Sequence, residues 1–163
     1  MDKKLFEQGE TIQEYLGSLT TSKEKFNDLL DNCQLTEDQS EKFASMPDNI
    51  NVMVIAEEWS GDVMYNLPVF IKVSQTCSWN VRIFRRDKYP ELILPYRKDG
   101  LYHSIPVFVF FDQNFIEIAR WIERPAEATR IIDEESLKLR RRLREENKDA
   151  WRQEMIRELA EII

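Results

Sequence analysis

Two cysteines, four glycines, six prolines and a single histidine are all that 163 residues contain of these types. Each scarcity closes off a class of protein. Cys33 and Cys77 lie far apart with no Cys-x-x-Cys spacing, so nothing in the pattern supports a disulfide-stapled fold. Both read as reduced, structural thiols, since a free cysteine commonly packs as a small hydrophobe. One histidine, His103, and two lone thiols cannot supply the four ligands of a usual zinc site, so no metal is expected, and no cofactor. Glycine and proline are too few for a disordered or low-complexity chain. The opening MDKKLFEQGE lacks the apolar stretch of a leader peptide, and no run approaches the roughly 18 to 20 apolar residues of a membrane span.

Positive charge is also short. Lys and Arg number 23 against 30 Asp and Glu, a net charge of -7, which disfavours nucleic acid and anionic membranes as partners because both require clustered cations. The acidity is uneven: residues 1–48 hold 11 acids against 5 bases, residues 49–124 hold 9 against 9, and residues 125–163 hold 10 against 9. A bacterial-type cytoplasmic protein is the simple expectation.

What is present is a hydrophobic content of 42% with 11% aromatics, enough for one well-packed domain and too little chain for two ordinary ones. Residues 1–48 read as an N-terminal helical extension. Ile12, Tyr15, Leu16 and Leu19 fall on one helix face, and Phe26, Leu29, Leu30 and Cys33 repeat the pattern behind Ser22 as a cap. Thr36 and Gln39 have the spacing of a capping box before a third helix, and Pro47 breaks the pattern.

Residues 49–124 form the expected core. INVMVIA is a continuous run of β-formers, as in a strand covered on both faces. After a helical stretch, NVRIFRR alternates Val81, Ile83 and Arg85 against Arg82, Phe84 and Arg86. Strand, helix, strand in that order implies a parallel pair with a right-handed crossover. A short helix in YPELILPYRKDG then leads to IPVFVFFDQNFIEIARW, two strands joined at DQN and therefore antiparallel.

Residues 125–163 read as one C-terminal helix, packing on or extending the core. Its charged middle leaves only Leu137, Leu139 and Leu143 for burial, and Trp151, Met155 and Leu159 make a later stripe with Ile162 and Ile163 beyond. Packing within the chain is the first expectation for that stripe, and a weak homodimer or partner contact the second.

The stretch WSGDVMYNLP, Trp59 to Pro68, resembles the thioredoxin pattern Trp-Cys-Gly-Pro-Cys followed by a helix containing proline. HSIPVFVFFDQN resembles the family's Ile-Pro segment, strand and turn. The likeness extends to an uncharacterised bacterial branch of thioredoxin-like proteins with a Trp-Cys-Gly-Asp-Val motif, a segment like IFRRD and a run like RWIERP. It covers most of the chain. It implies an α/β thioredoxin-like fold with a central mixed sheet flanked by helices. It also implies that Pro106 is the family's cis-proline, facing the active-site loop and offering a backbone edge to extended peptides.

In such a motif a thiolate at a helix N-terminus is stabilised by unpaired N–H groups and the helix dipole, and a second thiol one turn along resolves the mixed disulfide. Here Ser60 and Val63 occupy the two sulfur positions. A serine hydroxyl neither ionises usefully near pH 7 nor forms a disulfide, so the reading is a redox-inactive relative. Its binding groove would involve Trp59, Ser60, Gly61, Asp62, Ile105 and Pro106. The alternative is a thiol–disulfide oxidoreductase relative whose nucleophile is replaced by Ser60 or substituted by another thiol. Ser60 as a nucleophile with His103 as base lacks an acid to orient the histidine, and capping is the simpler role. Asp62 is read as a complement to the helix N-terminus. Glu57, Glu58, Asp62 and His103 have no recognised metal-ligand spacing.

Overall fold

In the computed structural model, which describes residues 1–139, 142, 145 and 146, residues Met1–Arg124 and Pro125–Ile163 separate into two compact units. The first opens with α1 (Lys3–Phe6), α2 (Ile12–Ser18), α3 (Lys23–Asp31) and α4 (Glu37–Ala44). It continues through β1 (Asn51–Ala56), α5 (Gly61–Thr76), β2 (Asn80–Arg85), a 3-10 turn at Leu94–Tyr96, β3 (Val107–Phe111) and β4 (Glu117–Ile122). In the second unit, residues 126–139 are helical, as are 142, 145 and 146. Leu143, Trp151, Met155, Leu159, Ile162 and Ile163 of the anticipated tail stripes lie outside the described residues. Leu137 and Leu139, anticipated as buried, are exposed. The charged residues beside them keep that stretch solvated.

The four strands order as β2-β1-β3-β4, with β1 parallel to β2 and antiparallel to β3, and β3 antiparallel to β4. This is the mixed sheet anticipated from the sequence. The central strand β1 explains its continuous apolar run: five of its six residues, Val52 to Ala56, are buried because both faces are covered. Helix α5 contributes Val63, Leu67 and Ile71 to the same core. Phe70 stacks on Phe108 with centroids 4.3 Å apart, and Phe108 stacks in turn on Trp121 at 5.2 Å.

The N-terminal helices join this core through Phe6, Tyr15, Leu19 and Phe26. Thr11 and Thr36 each close a complete capping box, with Glu14 and Gln39. Helix α1 has no periodic signature long enough to be read from sequence. Ser22 is the N-cap residue of α3 but makes no side-chain cap bond: its backbone is not extended, and its hydroxyl donates to Glu58. Strand β2 also departs from simple alternation. Phe84 is as buried as Ile83, since the chain at Gly9 and Glu10 lies over that face. Glu10 exchanges two main-chain bonds with Ile83, at 2.8 and 2.7 Å, and a Cβ on Gly9 would sit 2.6 Å from the Phe84 ring. Glycine is therefore required there by close approach rather than by backbone angle.

Candidate functional site

The site is assembled where β1 ends and α5 begins. Ser60 is the N-cap of α5: its backbone is extended and its hydroxyl accepts from the Val63 N–H at 3.4 Å. The side chain is buried and its hydrogen bond is to Val63, not to His103, which is exposed. Val63 is buried in the core beneath the first turn. Both positions that carry sulfur in the motif are thus filled by a cap and a core residue.

Trp59 stands out from this turn, 61% exposed. Its indole N–H donates to Asp87 at 3.2 Å, and the Arg86 guanidinium lies over its ring at 4.6 Å from the centroid. Arg86 also donates to Asp87 at 2.9 Å and to the His103 carbonyl at 3.2 Å. The Asp87 carboxyl is held below its usual range, chiefly by the Arg86 hydrogen bond, which outweighs its partial burial. One guanidinium thereby ties together the Trp59 loop, the end of β2 and the segment that leads into Pro106.

That segment carries a cis Ile105–Pro106 peptide bond. The Pro106 carbonyl accepts from the Glu123 N–H at 2.7 Å. Arg124 donates to Asp62 at 2.7 Å and to Glu123 at 2.6 Å, while the Asn66 amide spans the carbonyls of Asp62 and Glu123. Glu123 is further paired with Lys98. Burial opposes ionisation of Glu123, but the Lys98 bond and Arg124 charge overcome it and lower its pKa. The first turn of α5 is consequently anchored to the residues just after β4, which themselves bond to Pro106. Asp62 does more than complement the helix N-terminus: it is the acceptor of this clamp.

Ile105 is buried as a side chain, yet neither its N–H nor its C=O has a hydrogen-bond partner among the described residues. An unpaired main-chain edge of this kind is what an extended segment pairs with. Gly61 has open space around its Cα, so a side chain would meet nothing there.

Of the groups considered for a metal, Glu57, Glu58 and Asp62 go to separate tasks, and His103 is exposed. Glu57 is buried and accepts from the Asp87 N–H at 2.8 Å. Glu58 turns the other way, to the α2–α3 connection, where it accepts from the main chain of Thr20 and Ser22, both at 2.9 Å, and from the hydroxyl of Ser22 at 2.9 Å. Among the described residues no three His, Cys, Asp or Glu side chains gather as a metal site. Cys33 and Cys77 are both free, and Cys77 caps the far end of α5, where burial raises its pKa.

The sequence singles out Trp59, Ser60, Gly61, Asp62, Ile105 and Pro106, and the structure adds Arg86, Asp87, Glu123 and Arg124 as their hydrogen-bond and ion-pair neighbours. The signal is present in the sequence: IFRRD and RWIERP, two segments of the resemblance, supply these four residues.

A mixed sheet with a capped helix leaving its central strand and a cis-proline segment alongside defines a thioredoxin-like fold. The chain belongs to the thioredoxin family: the family model described as Thioredoxin matches residues 9–138. Among solved structures, a protein of unknown function from Pseudomonas aeruginosa is similar at 21% identity, with a TM-score of 0.66 and 76% of each chain covered. An HIV epitope-scaffold is similar at 20% identity and a TM-score of 0.65, covering 75% of this chain and 76% of the other. At such identities the likeness speaks for the fold alone. No curated protein matches the chain.

Proposed function

We propose that this is a redox-inactive thioredoxin-family protein that binds an extended polypeptide in the groove beside Trp59, Ile105 and Pro106. The observation that carries the reading is the pairing of a lost chemistry with a kept frame. Ser60 and Val63 remove both sulfurs, while the exposed Trp59 and the unpaired main chain of Ile105 remain tied to the loop by Arg86 and Arg124. The indole offers an amphipathic platform, and the Ile105 edge offers two main-chain hydrogen bonds to a partner strand. No reacting group is needed for either interaction. In this reading the protein works in the cytoplasm, as a monomer or a weak homodimer through its C-terminal helix. No helix among the described residues is long and apolar enough to cross a membrane.

Titrating isotope-labelled protein with a library of extended peptides tests the proposal. Shifts confined to Trp59, Gly61, Ser104, Ile105 and their neighbours support it. Perturbations that fall elsewhere, or none at all, overturn it. A second reading, a relative of the thiol oxidoreductases whose nucleophile has been replaced, is favoured by the N-cap geometry of Ser60 itself. Disulfide exchange gained by a Ser60→Cys, Val63→Cys protein would support that reading, and continued inactivity would remove it.

A further inference from the structure

At the opposite end of the sheet from Ser60, where β1 and β2 begin, a cavity of about 390 Å³ is lined by Asn49, Asn51, Asn80 and Arg82 together with Phe6 and Phe115. A second cavity, of about 300 Å³, lies beside it, and Asn80 and Arg82 line both. β1 runs six residues from Asn51 toward the Trp59 loop, so at roughly 3.3 Å per residue the two sites lie about 20 Å apart. The cavity is therefore separate from the groove described above.

Arg82 sets this cavity apart. Arg85, Arg86, Arg120, Arg124, Arg130 and Arg142 each pair with a carboxylate, and Arg97 donates to the Leu94 carbonyl. The Arg82 side chain, alone among those of the described arginines, makes no hydrogen bond or ion pair with a described residue. The carboxylate whose charge it does feel, Glu14, is already committed to the Thr11 N–H at 2.7 Å and the Thr11 hydroxyl at 2.8 Å. In a chain with an excess of seven acids, an arginine left without one beside a cavity is a vacancy for an external anion.

We propose that this cavity binds a small organic monocarboxylate, with its two oxygens on the Arg82 guanidinium and its body among the asparagine amides. The chemistry of the walls narrows the class. A guanidinium presents parallel N–H groups at the spacing of a carboxylate. Glu7 and Asp48 also line the cavity and offset the charges of Lys3 and Arg82, so a multiply charged phosphate meets repulsion that a monoanion largely escapes. Asn80 donates to the Asn51 side chain at 2.8 Å, and Asn51 to the Asp112 carbonyl at 3.2 Å, which holds those amides in place before any ligand arrives.

The test is a titration of the isotope-labelled full chain with sodium acetate, sodium lactate or inorganic phosphate, each at constant ionic strength set with sodium chloride. The Arg82 Nε–Hε resonance and the side-chain amides of Asn51 and Asn80 are followed. A saturable shift at millimolar acetate or lactate is expected, at least tenfold weaker in Arg82→Lys, which keeps the charge and loses the fork. Arg82→Gln should abolish it while leaving the resonances of Trp59 to Val63 in place. Shifts that stay linear, that survive in Arg82→Lys at full strength, or that saturate only with phosphate overturn the assignment.

Discussion

Glu58 and Ser22 meet through two bonds of 2.9 Å, from the main-chain N–H and from the hydroxyl of the serine to one carboxylate oxygen. A helix cap position read from sequence is thereby spent on holding the N-terminal helices against the residue that precedes Trp59. Burial on its own would raise the Glu58 pKa, but the hydrogen bonds from Ser22 and Thr20 prevail and hold it at about 2, against an ordinary value of 4.5. The folded-state value is depressed, so the contribution is present above about pH 4.5 and is lost as the pH falls toward about 2. Urea unfolding should show Glu58→Ala destabilised by about 2 to 3 kcal/mol at pH 7. The gap between that variant and the parent should close progressively through this acid window.

Replacing Ser60 separates capping from chemistry. Ser60→Ala removes the acceptor for the Val63 N–H and should cost about 1 kcal/mol in chemical denaturation. Ser60→Cys places a thiol at a helix N-terminus whose nearby acid, Asp62, is already paired with Arg124. Its pKa should fall below the usual value of about 8.5, measured by the pH dependence of alkylation. Cys77, raised by burial, should react more slowly than this new thiol at pH 7.

Trp59 should matter to binding far more than to folding. It is largely exposed and its partners Arg86 and Asp87 bond to each other without it. Trp59→Ala should therefore change unfolding free energy by less than about 1 kcal/mol while weakening any groove-bound peptide at least tenfold by fluorescence polarisation. Equal loss of stability and binding would count against a recognition role.

Tyr15 supplies a converse case. Its ring is fully buried under the Arg85 guanidinium, 4.1 Å from the centroid, and its hydroxyl has no hydrogen-bond partner among the described residues. Burial pushes its pKa up to about 12. Removing an unsatisfied hydroxyl relieves a desolvation cost, so Tyr15→Phe should leave the melting temperature unchanged or raise it, with a gain of up to about 1 kcal/mol.

Local signals carried the architecture well. β1 was legible because burial on both faces demands an unbroken apolar run, and the Thr11 helix and Thr36 capping box because their partners lie within four residues. The order of elements then fixed the pairing of β1 with β2 and of β3 with β4. What stayed hidden depends on contacts distant in sequence. Nothing near Ser22 indicates that its hydroxyl serves Glu58, and nothing near Asp62 indicates that Arg124 will reach it across 62 positions. The alternation in NVRIFRR sets Phe84 with Arg82 and Arg86, and nothing near it shows that Gly9, from the other end of the chain, packs against its ring. Positions named by the motif could be read from the sequence; contacts made by the chain folding back on them could not.

The Glu10–Ile83 exchange has a consequence for how molecules of this protein meet. By occupying the outer side of β2, the first ten residues act as a guard rail, leaving β4 as the sheet's unguarded flank among the described residues. Removing those residues would strip the rail and uncover a second flank. Such a truncated chain should self-associate through β2 even where its remaining fold survives, a change that light scattering would register as concentration-dependent growth.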